Sequence, residues 1–144
     1  MNSTKSIFLL RICFLAGAGV DAVAGAMMLF PAAWASFYHI SAFVPNMMIS
    51  RALGIAAPLM LGWTVLLLWA ALKPVERAGV LLITVVPVIA GMILGTVEQI
   101  INWGAPLPSQ LPTLALQLVL SGLFLYAYVT ARKSRAVELE GTGL

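Results

Sequence analysis

The sequence predicts an all-α integral membrane protein: a four-helix bundle, up-down-up-down, with a short interfacial helix in the first outer loop. Three observations carry this. Hydrophobic residues make up 62% of the 144 residues and charged residues only 9%, against roughly 45–50% and about 25% in soluble domains. The mean hydropathy is +1.03, and a chain this apolar would show large sticky patches to water, so lipid is its expected solvent. The charges and many of the prolines punctuate four apolar runs, each near the ~20 residues that cross ~30 Å of hydrocarbon.

Helix 1 is expected over about residues 7–30, with Lys5 and Arg11 flanking or entering its start and Pro31 ending it. A lysine, an apolar run and the small residues Ala22-Val23-Ala24 also resemble a cleaved secretory signal. Arg11 interrupts that run and the apolar pattern continues to Phe30, so a retained span is expected instead. In the outer segment Pro31 to Ser50, Trp34, Phe37 and Tyr38 follow Pro31 at helical spacing. Proline suits a first helical turn, so a short helix is expected there in the outer interface. Trp34 and Tyr38 would join the aromatic belt, with Trp103 at the same level.

Helix 2 is expected over about residues 49–72, between Arg51 and Lys73. Lys73-Pro74-Val75-Glu76-Arg77 forms a tight turn. Helix 3 follows over about 78–101, and Ala78 to Val97 contains no charge. Asn102 to Gln110, with Pro106 and Pro108, is expected as a short outer loop. Helix 4 covers about 111–131 and stops at Arg132. Residues 1–135 thus form one transmembrane domain, and residues 136–144 a disordered cytoplasmic tail. Pro58 and Pro87 lie inside helices, where each removes an N–H and can kink its helix.

Seven of the eight basic residues fall on one side: Lys5, Arg11, Lys73, Arg77, Arg132, Lys133 and Arg135. Arg51 alone lies on the other. The positive-inside rule then places both termini in the cytoplasm, in a bacterial plasma membrane. The net charge of +3 and the pI of about 9.4 reflect these helix-end residues. They read as topology signals and lipid contacts, not as a nucleic-acid surface. The single cysteine, Cys13, excludes an internal disulfide or a paired-cysteine redox centre and reads as a small buried hydrophobe.

The informative residues of a membrane protein are its expensive ones. A carboxylate at a helix centre costs on the order of 2.5–3.5 kcal/mol and normally faces a partner. Asp21 lies about nine residues inside the outer end of helix 1, roughly 13 Å deep, on a face with Gly17 and Gly25. Helix 2 carries Arg51, Gly54, Pro58 and Gly62 on roughly one side. Helix 3 pairs Gly91 with Gly95 and continues to Glu98 and Gln99. Helix 4 carries Thr113, Gln117 and Ser121 at four-residue steps. Small faces let helix backbones approach closely, so these six glycines are expected to pack helices. Asp21, Arg51, Glu98 and Gln117 are expected to meet in an outward-facing polar centre, with His39, Tyr38, Asn46 and Asn102 near its mouth. That centre is an ion-pair network built around Arg51, a ligand site, or a path for protons or ions. Two carboxylates against one arginine leave a surplus negative charge that favours a cationic ligand or a bound proton.

His39 is the only histidine and has no soft ligand near it in sequence, so no metal site is expected. No serine–histidine–acid arrangement stands out, and no cofactor motif is present. No catalytic residue can be named.

The stretches Arg51-Ala52-Leu53-Gly54, Leu61-Gly62-Trp63-Thr64 and Lys73-Pro74-Val75-Glu76-Arg77 resemble a pattern in uncharacterised small four-helix bacterial membrane proteins. The layout is also similar to that of DoxX-like proteins, in which a first helix ends in an aromatic outer segment and a second begins with arginine and glycine. The resemblance covers about residues 7–101. It implies a four-helix membrane bundle and no activity, because the matching residues are packing and turn positions. Small multidrug transporters share four short helices and a membrane carboxylate. This chain departs from them in its one-sided charge and in carrying its carboxylates in helices 1 and 3.

Three functional readings follow. The first is an accessory protein that packs with a larger membrane complex, or with copies of itself, through its small-residue faces. The second is a binder or carrier of a lipophilic or cationic ligand around Asp21 and Glu98. The third is a lipid-modifying enzyme using those carboxylates as acid and base.

Overall fold

The structure, a computed structural model, describes residues 3–37 and 46–141; of residues 3, 4, 34, 103 and 134–141 it describes the backbone alone. Every regular element among the described residues is helical. The order is α1 (Ser3–Met28), α2 (Pro31–Phe37), α3 (Met47–Leu72), α4 (Gly79–Ile83), a π-helical segment (Thr84–Ile89), α5 (Ala90–Trp103) and α6 (Leu107–Gly141). Four spans are long and apolar enough to cross a membrane: Lys5–Met28, Met47–Leu72, Gly79–Asn102 and Leu107–Lys133. The expected all-α, four-helix membrane architecture is the one observed.

Side-chain exposure fits that solvent. Leu59 is 70% exposed, Leu94 69%, Phe8 66% and Val119 66%, while Thr64, Thr84, Thr96 and Gln117 are buried. In water this distribution would be costly; in hydrocarbon, apolar exteriors cost nothing and polar groups turn inward.

Helix boundaries follow local chemistry that periodicity alone does not show. Asn46 caps α3: its Oδ1 accepts the Ile49 N–H at 2.8 Å, and its carbonyl accepts the Ser50 N–H at 3.0 Å. This satisfies amides of the first turn and starts the helix two residues before the expected position. α5 ends at Gly104, whose φ of 64° is the left-handed conformation that glycine adopts freely. The Ala105 N–H then returns to the Gln99 carbonyl at 3.1 Å.

α6 begins at Leu107, four residues before the sequence placed helix 4, because Pro108 fits a first turn that needs no N–H. Ser109 adds a hydroxyl bond to the Pro106 carbonyl at 2.7 Å. At its other end α6 runs to Gly141. Residues 136–141, expected as a disordered tail, are therefore helical. Ala136, Val137, Glu138, Leu139 and Glu140 include no helix breaker before Gly141.

The chain divides into two compact units. One comprises Met1–Phe14 and Ala70–Leu144, the other Leu15–Trp69. In the first, α4, the π segment and α5 all pack on α6. The α1 turn that carries Cys13 also meets α6: the buried thiol points to the Leu123 carbonyl, with sulfur and oxygen 4.0 Å apart. Leu10, Phe14, Leu81 and Phe124 are fully or almost fully buried. The turn after α3 is as expected: the Arg77 N–H reaches the Lys73 carbonyl at 3.1 Å, and Lys73 and Glu76 pair at 3.2 Å on the surface.

Pro87 explains the π segment. In an α-helix its missing N–H would orphan the Ile83 carbonyl. The i→i+5 register moves the next amides back by one, as the Ala90 N–H does to the Val85 carbonyl. The same shift corrects the face of the span. Leu81, Val85, Ile89 and Ile93 recur every four residues, a step that drifts by about 40° per repeat on an α-helix. One extra residue in the turn offsets that drift, and Leu81, Thr84, Val85, Ile89 and Thr96 are all buried.

In the second unit, α1 meets α3 at Gly25. A Cβ there would lie 3.1 Å from the Leu61 side chain and 3.2 Å from the Met60 Cβ. Gly25 is thus a genuine close-approach position. Gly25→Leu is expected to destabilise the fold by about 1–3 kcal/mol through overpacking, read by unfolding in micelles. Gly62→Leu on α3, where a Cβ would meet nothing within 4 Å, is the matched control and is expected to leave stability unchanged.

Candidate functional site

The residues that the sequence singled out fall in both units: Asp21 and Arg51 in one, Glu98 and Gln117 in the other. Neither pair is joined within its unit. Asp21 is half-buried on α1, one turn before Gly25, and Arg51 is exposed near the start of α3. With successive spans running in opposite directions, the Gly25–Leu61 contact sets the register. Asp21 then lies level with about Thr64, and Arg51 is roughly 20 Å further along the axis. That separation is too great for an ion pair, and among the described residues Asp21 and Arg51 form none.

Glu98 departs from expectation as well. It was read onto a packing face through Gly91 and Gly95, yet it is exposed, as are Gln99 and Asn102. The cause is phase. The third span's buried strip runs through Ile89 of the π segment and Thr96 of α5, and Glu98 lies two residues, or about 200°, past Thr96. One turn from the end of its span, the carboxylate is within reach of the polar interface.

Gln117 is where α6 commits a polar group to the interior. It is 5% exposed, ten residues and about 15 Å along the helix from Leu107, which is near mid-membrane. Neither its Nε2 nor its Oε1 has a hydrogen-bond partner among the described residues. The three buried threonines resolve the same difficulty within their own helices. Thr64 donates to the Met60 carbonyl at 3.0 Å, Thr84 to Val80 at 2.8 Å and Thr96 to Met92 at 2.9 Å. A glutamine amide does not close so short a loop, and Gln117 stands unpaired among the described residues.

The glycines divide in the same way. Gly17 and Gly25 are buried, as expected of packing positions. Gly54, Gly62 and Gly91 are exposed and Gly95 is partly so. A Cβ at any of these four would meet nothing within 4 Å. They do not bring helices together within their units. Pro58 lies between Gly54 and Gly62 on the same exposed face, and Pro87 continues the Gly91–Gly95 stripe by one turn.

His39 and Tyr38 lie outside the described residues, as do the side chains of Trp34 and Trp103. Among the described residues no three His, Cys, Asp or Glu side chains gather as a metal-binding group. Asn46 is in place as the cap of α3; this role was legible from an asparagine set just before an apolar run. The orphan state of Gln117 had no sequence signal, because a Thr–Gln–Ser stripe reads alike whether or not its amide is met. No family model, no curated protein and no solved structure matches this chain.

Replacing Gln117 tests its energetics. A buried amide without partners costs about 1–3 kcal/mol, so Gln117→Leu is expected to raise the thermal midpoint in micelles. A drop instead would mean that the amide is satisfied by a bound molecule.

Proposed function

We propose that this protein is an accessory integral membrane subunit that packs into a larger membrane assembly through helix faces left open within its compact units. One observation carries the reading: Gly54, Pro58 and Gly62 line an exposed face of α3 at four-residue spacing, with open space where a side chain would stand. Glycine inside a helix costs roughly 1 kcal/mol relative to alanine, and lipid gains nothing from it. The benefit of such a stripe is close approach of another backbone. Gly91 and Gly95 offer the same feature on α5. The layout shared with DoxX-like proteins agrees with a membrane bundle and adds no activity. The one-sided placement of seven of eight basic residues supports a bacterial plasma-membrane location with both termini in the cytoplasm.

The double variant Gly54→Leu/Gly62→Leu is expected to keep the folded chain and its thermal midpoint while losing its partner. Native mass spectrometry of gently extracted protein reads the loss. A partner mass equal to the chain's own would make the assembly a homo-oligomer; a different mass would identify the larger complex. A partner retained by the double variant would overturn the proposal.

A second reading rests on Asp21. Its carboxyl is half-buried in the spanning part of α1 and has no ion-pair partner among the described residues. That favours a lipophilic cation or a proton as its counter-charge. On this reading Asp21→Ala loses a bound lipophilic cation, such as a tetraphenylphosphonium probe, while Glu98→Asn, at an exposed position, retains it. Equal probe binding by wild type and Asp21→Ala would remove this reading and leave the first untouched.

A further inference from the structure

We propose that Arg11 holds the phosphodiester of an anionic phospholipid, drawn down beside α1 below the plane of the headgroups. Arg11 lies inside the apolar span Lys5–Met28, six residues past Lys5 and so about 9 Å deeper. Its side chain is exposed rather than turned into the core made by its neighbours Leu10, Cys13 and Phe14. A guanidinium at that depth needs a counter-charge, because hydrocarbon supplies neither water nor acceptors.

The carboxylates of the described residues do not provide one. Glu76 is engaged by Lys73 at 3.2 Å. Asp21 lies ten residues, about 15 Å, further along the same helix. Glu98 sits one turn from Asn102, at the other end of the third span. The Cys13–Leu123 contact sets α1 against α6 and, for antiparallel spans, places Arg11 level with about Leu125. Positions 138 and 140 on the α6 backbone are then roughly 20 Å or more away along the axis. Among the described residues Arg11 makes no ion pair.

The same register places Lys5 level with Ala131 and Arg132, so one end of this unit gathers exposed cations from α1 and α6. Arg132 stacks over the Tyr128 ring, 5.7 Å from its centroid, whereas Lys5 and Lys133 are exposed with no partner among the described residues. An arginine side chain reaching upward spans most of the 9 Å, and a phosphate sinking slightly closes the rest. The guanidinium fork matches two phosphate oxygens at once, and the cations above add net attraction for a lipid whose headgroup has no positive charge of its own.

The test uses the intact protein in nanodiscs of equimolar phosphatidylglycerol and phosphatidylcholine, with the retained lipid read by native mass spectrometry. Wild type is expected to retain phosphatidylglycerol about fivefold over phosphatidylcholine. Arg11→Gln is expected to fall to the input ratio, and Lys133→Gln, with the same change in net charge, to keep most of the preference. Equal retention of the two lipids by wild type overturns the proposal without reference to any variant. So does a preference that survives Arg11→Gln, or one lost equally in Lys133→Gln, which would mark general charge attraction. Inorganic phosphate that abolishes the preference at fixed ionic strength would assign the site to free phosphate and also overturn it. The expected result is that phosphate leaves the preference unchanged.

Discussion

Hydrocarbon offers no hydrogen bonds, so each polar group that this chain carries into the membrane must find its partner within the protein or draw one to itself. Backbone groups meet that requirement by forming helices throughout the four spans. The buried threonines meet it within a single turn, each hydroxyl returning to the carbonyl four residues back. Pro87 would break the rule, and the π register over Thr84–Ile89 restores it locally. At Gln117, Asp21 and Arg11 no described residue meets the rule.

Packing between these helices works under a second constraint. Lipid tails are as apolar as leucine, so no hydrophobic force drives helix against helix, and close contact has to come from shape. At Gly25 that shape is used within the chain: α1 comes so near Leu61 and Met60 of α3 that a single added carbon would force them aside. Gly54, Gly62, Gly91 and Gly95 offer the same shape with no described residue of their own unit against it. The division between used and unused small faces is what turns a list of glycines into a statement about association.

Charge is arranged on a simpler logic. Lys73 and Glu76 neutralise each other in the exposed turn, and Arg132 rests on Tyr128 where α6 nears the end of its apolar span. These arrangements cost little, because water and headgroups screen them. Arg11 is different, since it pairs with no described residue and sits a turn and a half past Lys5. It stands on an exposed face of α1 rather than in the core.

The sequence by itself determined the number and approximate place of the spans, the break at Pro31 and the turn from Lys73 to Arg77. Each depends on composition and chain stiffness over a few residues, which a sequence states directly. Tertiary structure decided which face of each helix is covered. A four-residue glycine stripe is the same pattern whether its partner is α3, as at Gly25, or absent, as at Gly62. The fate of Glu98 was likewise invisible, because the π register that rotates α5 arises from Pro87 interacting with its own helix, and helical periodicity takes that register as constant. The Asp21–Arg51 pairing failed for a related reason. Both residues lie in the halves of their spans nearest the chain segment that joins α1 to α3, but the Gly25–Leu61 contact fixes how far one helix slides along the other, and it leaves the two charges at different depths.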